Sequence, residues 1–351
     1  MPTNLNNKVV ESNRSVRLTV AIPTFNRNEF LKTNISILIP QLTPACELLI
    51  LDNCSTIPVE DTLKEVLVTA VDASIRIVRH RANVGGSENI LRCIELAQGE
   101  FVWLLGDDDQ PIESAIANIF AELDKHPDAL VVNMYAANEG HSVRTSNQVL
   151  RGSIEYLSAF KSLGDLIFIS TMVLRVDRAL PYLSEAYQWQ SSCAAQLIVV
   201  AMILRPDGKA VISSREVFCD IGRAAINEGN QSLVTIGLGI STLLYVPWSP
   251  EEARFIKYLT NRGWSARHQL HVLNYLIQLA NEGQRTRSIA LRYFYLLRVA
   301  RRISEGFIPV WSIMFLFAWP LIAIPSIGRK CSSAVMRVKN PLKAFFKTLG
   351  T

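Results

Sequence analysis

Residues 101–111 read FVWLLGDDDQP, and this stretch decides the fold. The apolar run 101–105 has the length of a strand buried on both faces, and the run stops at Gly106. Asp107, Asp108 and Asp109 follow directly, and three adjacent carboxylates raise one another's pKa unless a cation or a proton lies among them. Mg²⁺ or Mn²⁺ takes carboxylate oxygens and shares its remaining positions with phosphates. The alternative is a solvated turn whose carboxylates cap a helix that begins near the following proline.

Apolar runs and helical patterns alternate along the first third of the chain. Runs typical of strands lie at 17–23, 47–51 and 75–79, and apolar residues at helical spacing follow each run. This alternation predicts an α/β fold with a mostly parallel open sheet and helices on both faces. In such sheets ligands bind beyond the carboxyl ends of the strands.

Polar side chains follow each of the four predicted strands at the point where the strand ends. They are Thr24, Asn26 and Arg27, then Asp52 and Asn53, then Arg81, Asn83 and Asn89, and finally the three aspartates. Carboxylates, amides and guanidinium groups at one edge predict a site for a charged, polyhydroxylated, phosphate-bearing ligand with a metal. The pattern NVGGSEN is not the GxGxxG of a nicotinamide dinucleotide enzyme, and no GxxxxGK[ST] loop occurs.

Charge and hydropathy point to a membrane surface. The mean hydropathy is +0.19 and the net charge is +5. Residues 285–351 contain twelve Lys and Arg residues and one acidic residue, Glu305, so their net charge is +11. Residues 1–284 must therefore carry a net charge of −6. Such a block favours an anionic partner, either acidic lipid or nucleic acid. Because no aromatic-interleaved recognition motif occurs, we expect a lipid surface and no nucleic acid.

The segment 307–327 contains 21 residues without a charge. Its length would permit a transmembrane helix, but it contains three prolines and has basic residues on both flanks. A re-entrant or in-plane anchor, a true span and a buried hydrophobic hairpin all remain open. The six cysteines are scattered without metal-ligand spacing, which favours reduced thiols in the cytoplasm.

Four motifs together resemble the family 2 glycosyltransferases, which have the type-A nucleotide-diphospho-sugar fold. They are VAIPTFNR at 20–27, ILDNCST at 50–56, NVGGSEN at 83–89 and WLLGDDDQP at 103–111. The resemblance covers about residues 17–135 in the order of the family. It implies a nucleoside diphosphate sugar as donor and Mg²⁺ or Mn²⁺ as cofactor.

The resemblance also implies roles for single residues. Nucleotide and donor contacts are expected from Pro23, Thr24, Arg27, Asp52, Asn53, Arg81, Asn83, Asn89 and Asp107. Asp108 and Asp109 are expected to bind the metal, but Gly106 stands where the commoner motif has its first Asp, so Asp107 could replace it. Inverting members of the family use a carboxylate as general base further along the chain. Glu185 is the candidate here, with an ordinary surface glutamate as the alternative.

The expected organisation is a flexible arm at 1–16, a transferase domain at 17–245 and a helical C-terminal region at 246–351 with a basic tail. The domain would consist of a nucleotide-sugar half, 17–135, and an acceptor half, 136–245. The expected function is metal-dependent, inverting transfer of a sugar to a lipid-linked or cell-surface polysaccharide at the cytoplasmic face of the inner or plasma membrane. Two alternatives stay open: a nucleotide-sugar-binding protein without activity, and a nucleotidyltransferase.

Overall fold

Strands and helices alternate through the first third of the chain, as the hydrophobic pattern predicts. The computed structural model describes residues 16–68, 74–136, 144–219, 239–240 and 242–263. Its first elements are β1 (Leu18–Thr24), α1 (Asn28–Leu38), β2 (Cys46–Asp52), α2 (Val59–Leu67), β3 (Ser74–Arg79), α3 (Gly86–Leu96) and β4 (Phe101–Leu104). Every residue of β2 and of β4 is buried, as expected for strands covered on both faces.

The second part of the sheet is built from shorter strands. The elements are β5 (Gln110–Pro111), α4 (Ala115–Lys125), β6 (Val131–Ala136), β7 (Gln148–Arg151), α5 (Gly152–Ser158), α6 (Leu163–Ile167), β8 (Met172–Arg175), α7 (Val176–Ala179), α8 (Leu183–Gln188), α9 (Ala195–Leu204) and β9 (Lys209–Cys219). The apolar run 166–175 predicts a single strand, but its first residues form α6 and a 3₁₀ turn. The polar segment 139–151 predicts a loop, but its last four residues form β7.

The described strands form one open sheet in the order β3-β2-β1-β4-β8-β6-β9-β5, with β7 paired to β9. The first four strands are parallel, which confirms that part of the prediction. The rest of the sheet is mixed: β8 runs antiparallel to both β4 and β6, and β6 runs parallel to β9. The prediction of a mostly parallel sheet is therefore confirmed for β1–β4 and wrong for the other half of the sheet.

The direction of β8 determines which of its ends approaches the site. Trp103 of β4 pairs with Val173, and Phe101 pairs with Arg175, so β8 begins at the edge where β4 ends. The 3₁₀ turn Ile169–Thr171 directly precedes β8 and thus lies at the carboxyl edge of β4. The indole Nε1–H of the fully buried Trp103 donates a 2.8 Å hydrogen bond to the carbonyl oxygen of Ser170. This bond fixes the turn against the strand.

The chain divides into two compact units. Of the described residues, those within 16–156, 168–188 and 196–219 form one unit, which contains the sheet; 157–167, 189–195, 239–240 and 242–263 belong to the other. In the second unit Ser249 and Glu252 form a reciprocal capping box at the start of α10 (Pro250–Gly263). None of the helices in the described residues is long and apolar enough to cross a membrane. The predicted apolar segment 307–327, the basic tail and residues 1–15 of the predicted arm 1–16 lie outside the described residues, and the predicted domain boundaries stay predictions.

Candidate active site at the carboxyl edge of β1–β4

The predicted polar clusters meet at one edge of the sheet because β1 to β4 are parallel and in register. Thr24 at the end of β1 lies opposite Asp52 of β2, and Asp52 lies opposite Arg79 of β3. The backbone N–H of Asn53 donates to the carbonyl oxygen of Thr24 at 2.9 Å, which ties the first two loops together. The acidic triplet follows β4 at the same edge. The structure thus brings the four loops side by side.

Asp107 and Asp108 converge on one cationic group. Nη1 of Arg27 lies 3.0 Å from Oδ1 of Asp107 and 2.9 Å from Oδ2 of Asp108. The hydroxyl of Thr24 donates to the other oxygen of Asp107 at 2.7 Å. Asp107 is only 5% exposed, whereas the Asp108 side chain is 23% exposed. The guanidinium therefore lies where two carboxylates attract positive charge.

Burial makes ionisation of Asp107 costly. The pKa of this carboxyl is raised from 3.8 to about 6, mainly by burial; the Arg27 guanidinium opposes this shift, and the neighbouring Asp108 contributes to it. A carboxyl whose pKa is raised toward neutral pH by burial and by a nearby like charge is typical of functional sites. The charge of Asp107 is thus stabilised mainly by cations brought next to it.

Asp109 has a hydrogen-bond partner in the 3₁₀ turn that precedes β8. The Ser170 hydroxyl donates a 2.5 Å hydrogen bond to Oδ2 of Asp109, and Asp109 is 9% exposed. The same hydroxyl oxygen accepts the backbone N–H of Gly106 at 2.8 Å. The contacts with Arg27 described above are those of Asp107 and Asp108, and metal binding by Asp108 and Asp109 stays a prediction.

The side chain of Asn34 in α1 holds the backbone of the acidic loop by hydrogen bonds. This fully buried side chain donates through Nδ2 to the carbonyl oxygens of both Asp107 and Asp109, each at 2.9 Å. Within α1, Asn34 occupies a position of the buried stripe that also contains Leu31, Ile35 and Leu38. A polar residue in an apolar stripe was the available signal for this role. The motifs and strand ends of the sequence did not identify Asn34 or Ser170, and the apolar run around Ser170 offers no signal.

Both carboxylate oxygens of Asp52 accept hydrogen bonds from neighbouring groups of the chain. Its Oδ1 accepts the backbone N–H of Ser55 at 2.8 Å, and its Oδ2 accepts Nη1 of Arg79. Burial pushes its pKa upward, but the hydrogen bonds from Ser55 and Arg79 outweigh burial and hold the pKa below 3.8. Asp52 thus orders the turn after β2. Its predicted contact with the nucleotide stays a prediction.

Asn53 holds the loop that follows β3. Its Nδ2 donates to Oδ1 of Asn83 at 3.0 Å and to the carbonyl oxygen of Gly85 at 3.1 Å, and its Oδ1 accepts the backbone N–H of Val84 at 2.9 Å. Gly85 has φ +107°, and a Cβ there would lie 2.2 Å from Oε2 of Glu88. Glycine is therefore required at this turn.

Asn89 lies beneath that loop in the first half of α3. Its Nδ2 donates to the carbonyl oxygen of Leu51 at 3.1 Å, and its Oδ1 lies 2.9 Å from Nε2 of His80. Because the oxygen can only accept, Nε2 of His80 carries the proton. Arg81 is exposed after His80, and Pro23 is half-buried beside the loops. Their predicted donor contacts remain predictions.

The structure does not bring Glu185 to the acidic triplet. β8 ends opposite the start of β4, and the N–H of Val176 donates to the carbonyl oxygen of Glu100 at 2.9 Å, so α7 begins at the amino edge of the parallel strands. In α8, Tyr187 donates to Oε2 of Glu95 at 3.0 Å, near the end of α3 that is remote from Gly86. Glu185 lies in that same short helix. The sequence-based choice of Glu185 as general base does not agree with this placement, because β8 reverses direction.

Two carboxylates on a shared cation suit a divalent metal chemically, since hard cations prefer carboxylate oxygens. Among the residues that the structure describes, no three His, Cys, Asp or Glu side chains are grouped so that they could hold a metal ion. A metal here would therefore need ligands from outside these side chains, for which phosphate oxygens and water are the usual source. The donor set fits a cation that the protein shares with a diphosphate.

Four parallel strands, a mixed second half and an acidic loop at the carboxyl edge of β4 define the class of type-A nucleotide-diphospho-sugar transferase folds. Residues 19–180 match the family model of glycosyl transferase family 2. Residues 19–180 therefore form a glycosyl transferase family 2 region, as the motifs predicted.

Two curated relatives support the assignment. The abequosyltransferase RfbV of Salmonella typhimurium is 25% identical over 178 residues, which are 46% of this chain and 53% of RfbV. TuaG of Bacillus subtilis, assigned to teichuronic acid biosynthesis as a glycosyltransferase, is 28% identical over 93 residues, 26% of this chain and 36% of TuaG. The chain thus spans about half or less of the curated relatives it matches.

A solved structure shares the fold. The crystal structure of TarS 1–349 from S. aureus superimposes with a TM-score of 0.50 at 16% identity, covering 81% of this chain and 87% of that one. At this identity the likeness concerns the fold.

Proposed function

We propose that this protein transfers a sugar from a nucleoside diphosphate donor to a lipid-linked or cell-surface polysaccharide, with inversion at the anomeric carbon. The observation that carries the proposal is the convergence of Asp107 and Asp108 on Arg27 within the family-matched domain. A buried carboxylate whose pKa lies near 6 is stabilised in its charged form by a nearby cation. A divalent metal ion bound to a diphosphate would supply that cation.

In this proposal the loops after β1, β2 and β3 hold the nucleotide. Thr24, Asn53 and Asn83 lie on three loops that hydrogen bonds already join, so a nucleoside would meet a preorganised surface. Arg27 is half-buried with 28% of its side chain exposed, so its guanidinium could contact a diphosphate in this proposal. Arg81 would add a second positive charge at the edge.

Asp108, together with Asp107, would hold Mg²⁺ or Mn²⁺. When bound, such a cation neutralises the charge that develops on a departing nucleoside diphosphate. Thr24 and Arg27 keep the Asp107 carboxylate aimed into the site through the 2.7 Å and 3.0 Å contacts. Asn34 fixes the backbone of the acidic loop, so that the carboxylates need not reorganise during the reaction.

The acceptor is proposed from the second half of the sequence and from the relatives. The apolar segment 307–327 and the basic residues around it suit the cytoplasmic face of a bilayer. The relatives RfbV and TuaG bear names of glycosyltransferases, and that of TuaG adds teichuronic acid biosynthesis. A cell-envelope polysaccharide linked to lipid is the acceptor class that joins both observations.

The donor site is tested by thermal unfolding of the full chain with UDP, GDP, dTDP or CDP, with and without Mn²⁺. We expect one nucleotide to stabilise the protein in a Mn²⁺-dependent way, and Asp108→Asn to abolish that stabilisation. The matched control is Glu185→Gln, which changes a carboxylate remote from the site and should leave the shift intact. If no nucleotide raises the melting temperature under any condition, the proposed donor site is wrong.

Transfer itself needs a second measurement. Radiolabelled sugar from the matching nucleotide sugar should enter a lipid-extractable product when membranes of the source organism are present. Release of nucleoside diphosphate without acceptor-dependent labelling would refute the proposed acceptor class. Nucleotide binding with neither release nor labelling would favour a binding protein without activity, and formation of a nucleotide sugar from a sugar phosphate would favour a nucleotidyltransferase.

A further inference from the structure

We infer that Glu122, in the last turn of α4, is a positioning residue for the acidic loop. It acts on the side where the chain leaves the three aspartates, because it holds β9 in the shape that lets this strand pair with β5. Glu122 lies outside the four motifs of the sequence. The inference rests on the proposed metal-dependent function, since metal-dependent nucleotide binding is the property by which the position of the loop is measured.

The end of β9 holds the chain directly after the acidic triplet. Gln110, which follows Asp109, pairs with Cys219 where β5 and β9 run antiparallel. The other end of the loop is attached to β1, where the backbone N–H of Leu105 donates to the carbonyl oxygen of Ala21 at 3.0 Å. The triplet is therefore held between two attachments, and one of them is β9.

The strand β9 bulges before it reaches β5. Its first residues, Lys209–Ile212, pair with β7, and its last two residues pair with β5. Between these parts the register against β6 shifts, because Asn133 pairs with Ile212 but Tyr135 pairs with Glu216. A step of two residues along β6 is thus matched by a step of four along β9. Such a bulge bends the strand and redirects its end, and bulges are common next to active sites.

Glu122 and Asn147 hold this bulge by side-chain hydrogen bonds. Oε1 of Glu122 accepts Nε–H of Arg215 at 2.9 Å, and its Oε2 accepts Nδ2–H of Asn147 at 2.7 Å. Oδ1 of Asn147 in turn accepts the backbone N–H and the hydroxyl of Ser214, at 2.9 and 3.0 Å. Both Ser214 and Arg215 lie within the bulge. The carboxylate of Glu122 therefore connects α4 to both, directly to Arg215 and through Asn147 to Ser214.

The burial of Glu122 indicates that its carboxylate determines geometry. Glu122 is 1% exposed, and the other buried residues of α4 are apolar. Burying a carboxylate costs free energy that an apolar residue of similar size would avoid. The carboxylate adds charge-assisted hydrogen bonds with preferred directions, which an apolar residue cannot make. Those bonds fix the place at which β9 bulges, and with it the position at which β9 meets Gln110.

Exchanging donor and acceptor across one hydrogen bond tests this role. Glu122→Gln replaces one oxygen by an NH₂ group, so Arg215 and Asn147 are left with one oxygen to accept both of their hydrogen bonds. Asn147→Asp in the same chain supplies an acceptor for that NH₂ group, and its second oxygen can still accept Ser214. The double variant therefore restores the pattern of donors and acceptors without restoring the carboxylate at position 122.

The measurement is calorimetric titration of the full chain with whichever of UDP, GDP, dTDP and CDP binds, in Mn²⁺ and in EDTA. We expect Glu122→Gln to weaken nucleotide binding in Mn²⁺ by about tenfold, because small displacements of positioned groups have effects of this size. The double variant should recover this binding to within about threefold of the unchanged protein. Binding in EDTA should be the same in every variant, because the exchange leaves the loops after β1, β2 and β3 as they are.

Glu47→Gln is the matched control. Glu47 is also 1% exposed, but it lies at the amino end of β2, the end remote from the acidic loop. Its carboxylate accepts the Thr19 hydroxyl at 2.6 Å and Nε–H of Arg76 at 3.0 Å. Glu47→Gln should therefore lower the free energy of unfolding, as Glu122→Gln does, yet leave nucleotide binding in Mn²⁺ unchanged. Urea unfolding of both variants compares their stabilities.

Three results would overturn the role of Glu122. The first is a folded Glu122→Gln that binds nucleotide in Mn²⁺ as tightly as the unchanged protein. The second is an equal loss of affinity in Glu47→Gln, because the loss would then follow from lower stability. The third is a folded double variant that binds as weakly as Glu122→Gln, because the hydrogen bonds would then not be the cause.

If Glu122→Gln does not fold, Asn147→Ala takes its place, since Asn147 is half-buried and its replacement removes the same contact. Unchanged affinity in Asn147→Ala would then overturn the role of Glu122. A failure of the proposed function is recognised separately, because the unchanged protein would then bind none of the four nucleotides in a Mn²⁺-dependent way.

Discussion

Replacing Asp107 by asparagine should stabilise the folded protein at neutral pH. In the folded chain the pKa of Asp107 is about 6, compared with an ordinary value of 3.8, because its carboxyl is buried. Between pH 4 and 6 the folded state therefore holds a proton that the unfolded state has lost. The free energy of unfolding then falls as pH rises, by about 1.4 kcal/mol per pH unit and about 3 kcal/mol in total. Below pH 4 both states are protonated and the cost is absent.

Asp107→Asn removes this titration and keeps the shape of the side chain. Its amide oxygen can still accept Arg27, and its NH₂ group can donate to the Thr24 hydroxyl. We expect the variant's excess in free energy of unfolding to grow from near zero at pH 4 to about 3 kcal/mol at pH 7.5. Urea unfolding in EDTA at intervals across this range measures it.

Asp128→Asn is the matched control with the opposite sign. A hydrogen bond from Lys209 lowers the pKa of the exposed Asp128, so its charge stabilises the folded state at neutral pH and its removal should destabilise. The reasoning on Asp107 is refuted if the difference in free energy of unfolding between Asp107→Asn and the unchanged protein does not grow between pH 4 and 7.5. It is also refuted if Asp107→Asn is less stable than the unchanged protein at pH 7.5.

We also expect Asp107→Asn to lose Mn²⁺-dependent nucleotide binding while it gains stability.

Three further substitutions test other parts of the site. Asn34→Ala leaves two carbonyl oxygens of the acidic loop without their donor and should lower the free energy of unfolding by about 1–3 kcal/mol in urea titrations. Asp52→Asn loses the charge that Arg79 neutralises; because the pKa of Asp52 is lowered, the resulting loss of stability should be present at pH 7 and should shrink as pH falls below 3.8. Glu185→Gln should leave the rate of sugar transfer within about twofold of the unchanged protein, since α7 begins at the amino edge of the parallel strands and α8 contacts the end of α3 that is remote from Gly86; a loss of a hundredfold would contradict the placement of α8.

The edge of the first four strands could be predicted because local patterns determine it. Apolar runs that stop at a polar residue give the strand ends, and alternation with helices gives parallel order. Thr24, Asp52 and the acidic triplet then fall at one edge without any knowledge of side-chain contacts. The family-matched region confirms that this reading of the motifs was right.

The parts that failed depend on distant contacts or on strand direction. The apolar run before Arg175 has no period that separates helix from strand, so α6, the 3₁₀ turn and β8 were read as one strand. The three aspartates look equivalent in sequence, and the Ser170 hydroxyl that donates to Asp109 lies 61 residues further along the chain. Glu185 was chosen by its distance along the chain, which carries no information on the reversal at β8.

The antiparallel insertion of β8 also limits how this chain can be cut and recombined. A fragment that ends at residue 135 contains every motif of the nucleotide-sugar half, yet it lacks the strand that lies between β4 and β6. Without it the indole N–H of Trp103 and the backbone N–H of Gly106 lose their acceptors, and β4 becomes an unpaired edge. Chimaeras that exchange the nucleotide-sugar half between related chains should therefore carry residues 168–175 together with the segment that contains the motifs. The nucleotide-sugar half does not by itself contain the strand that pairs with β4.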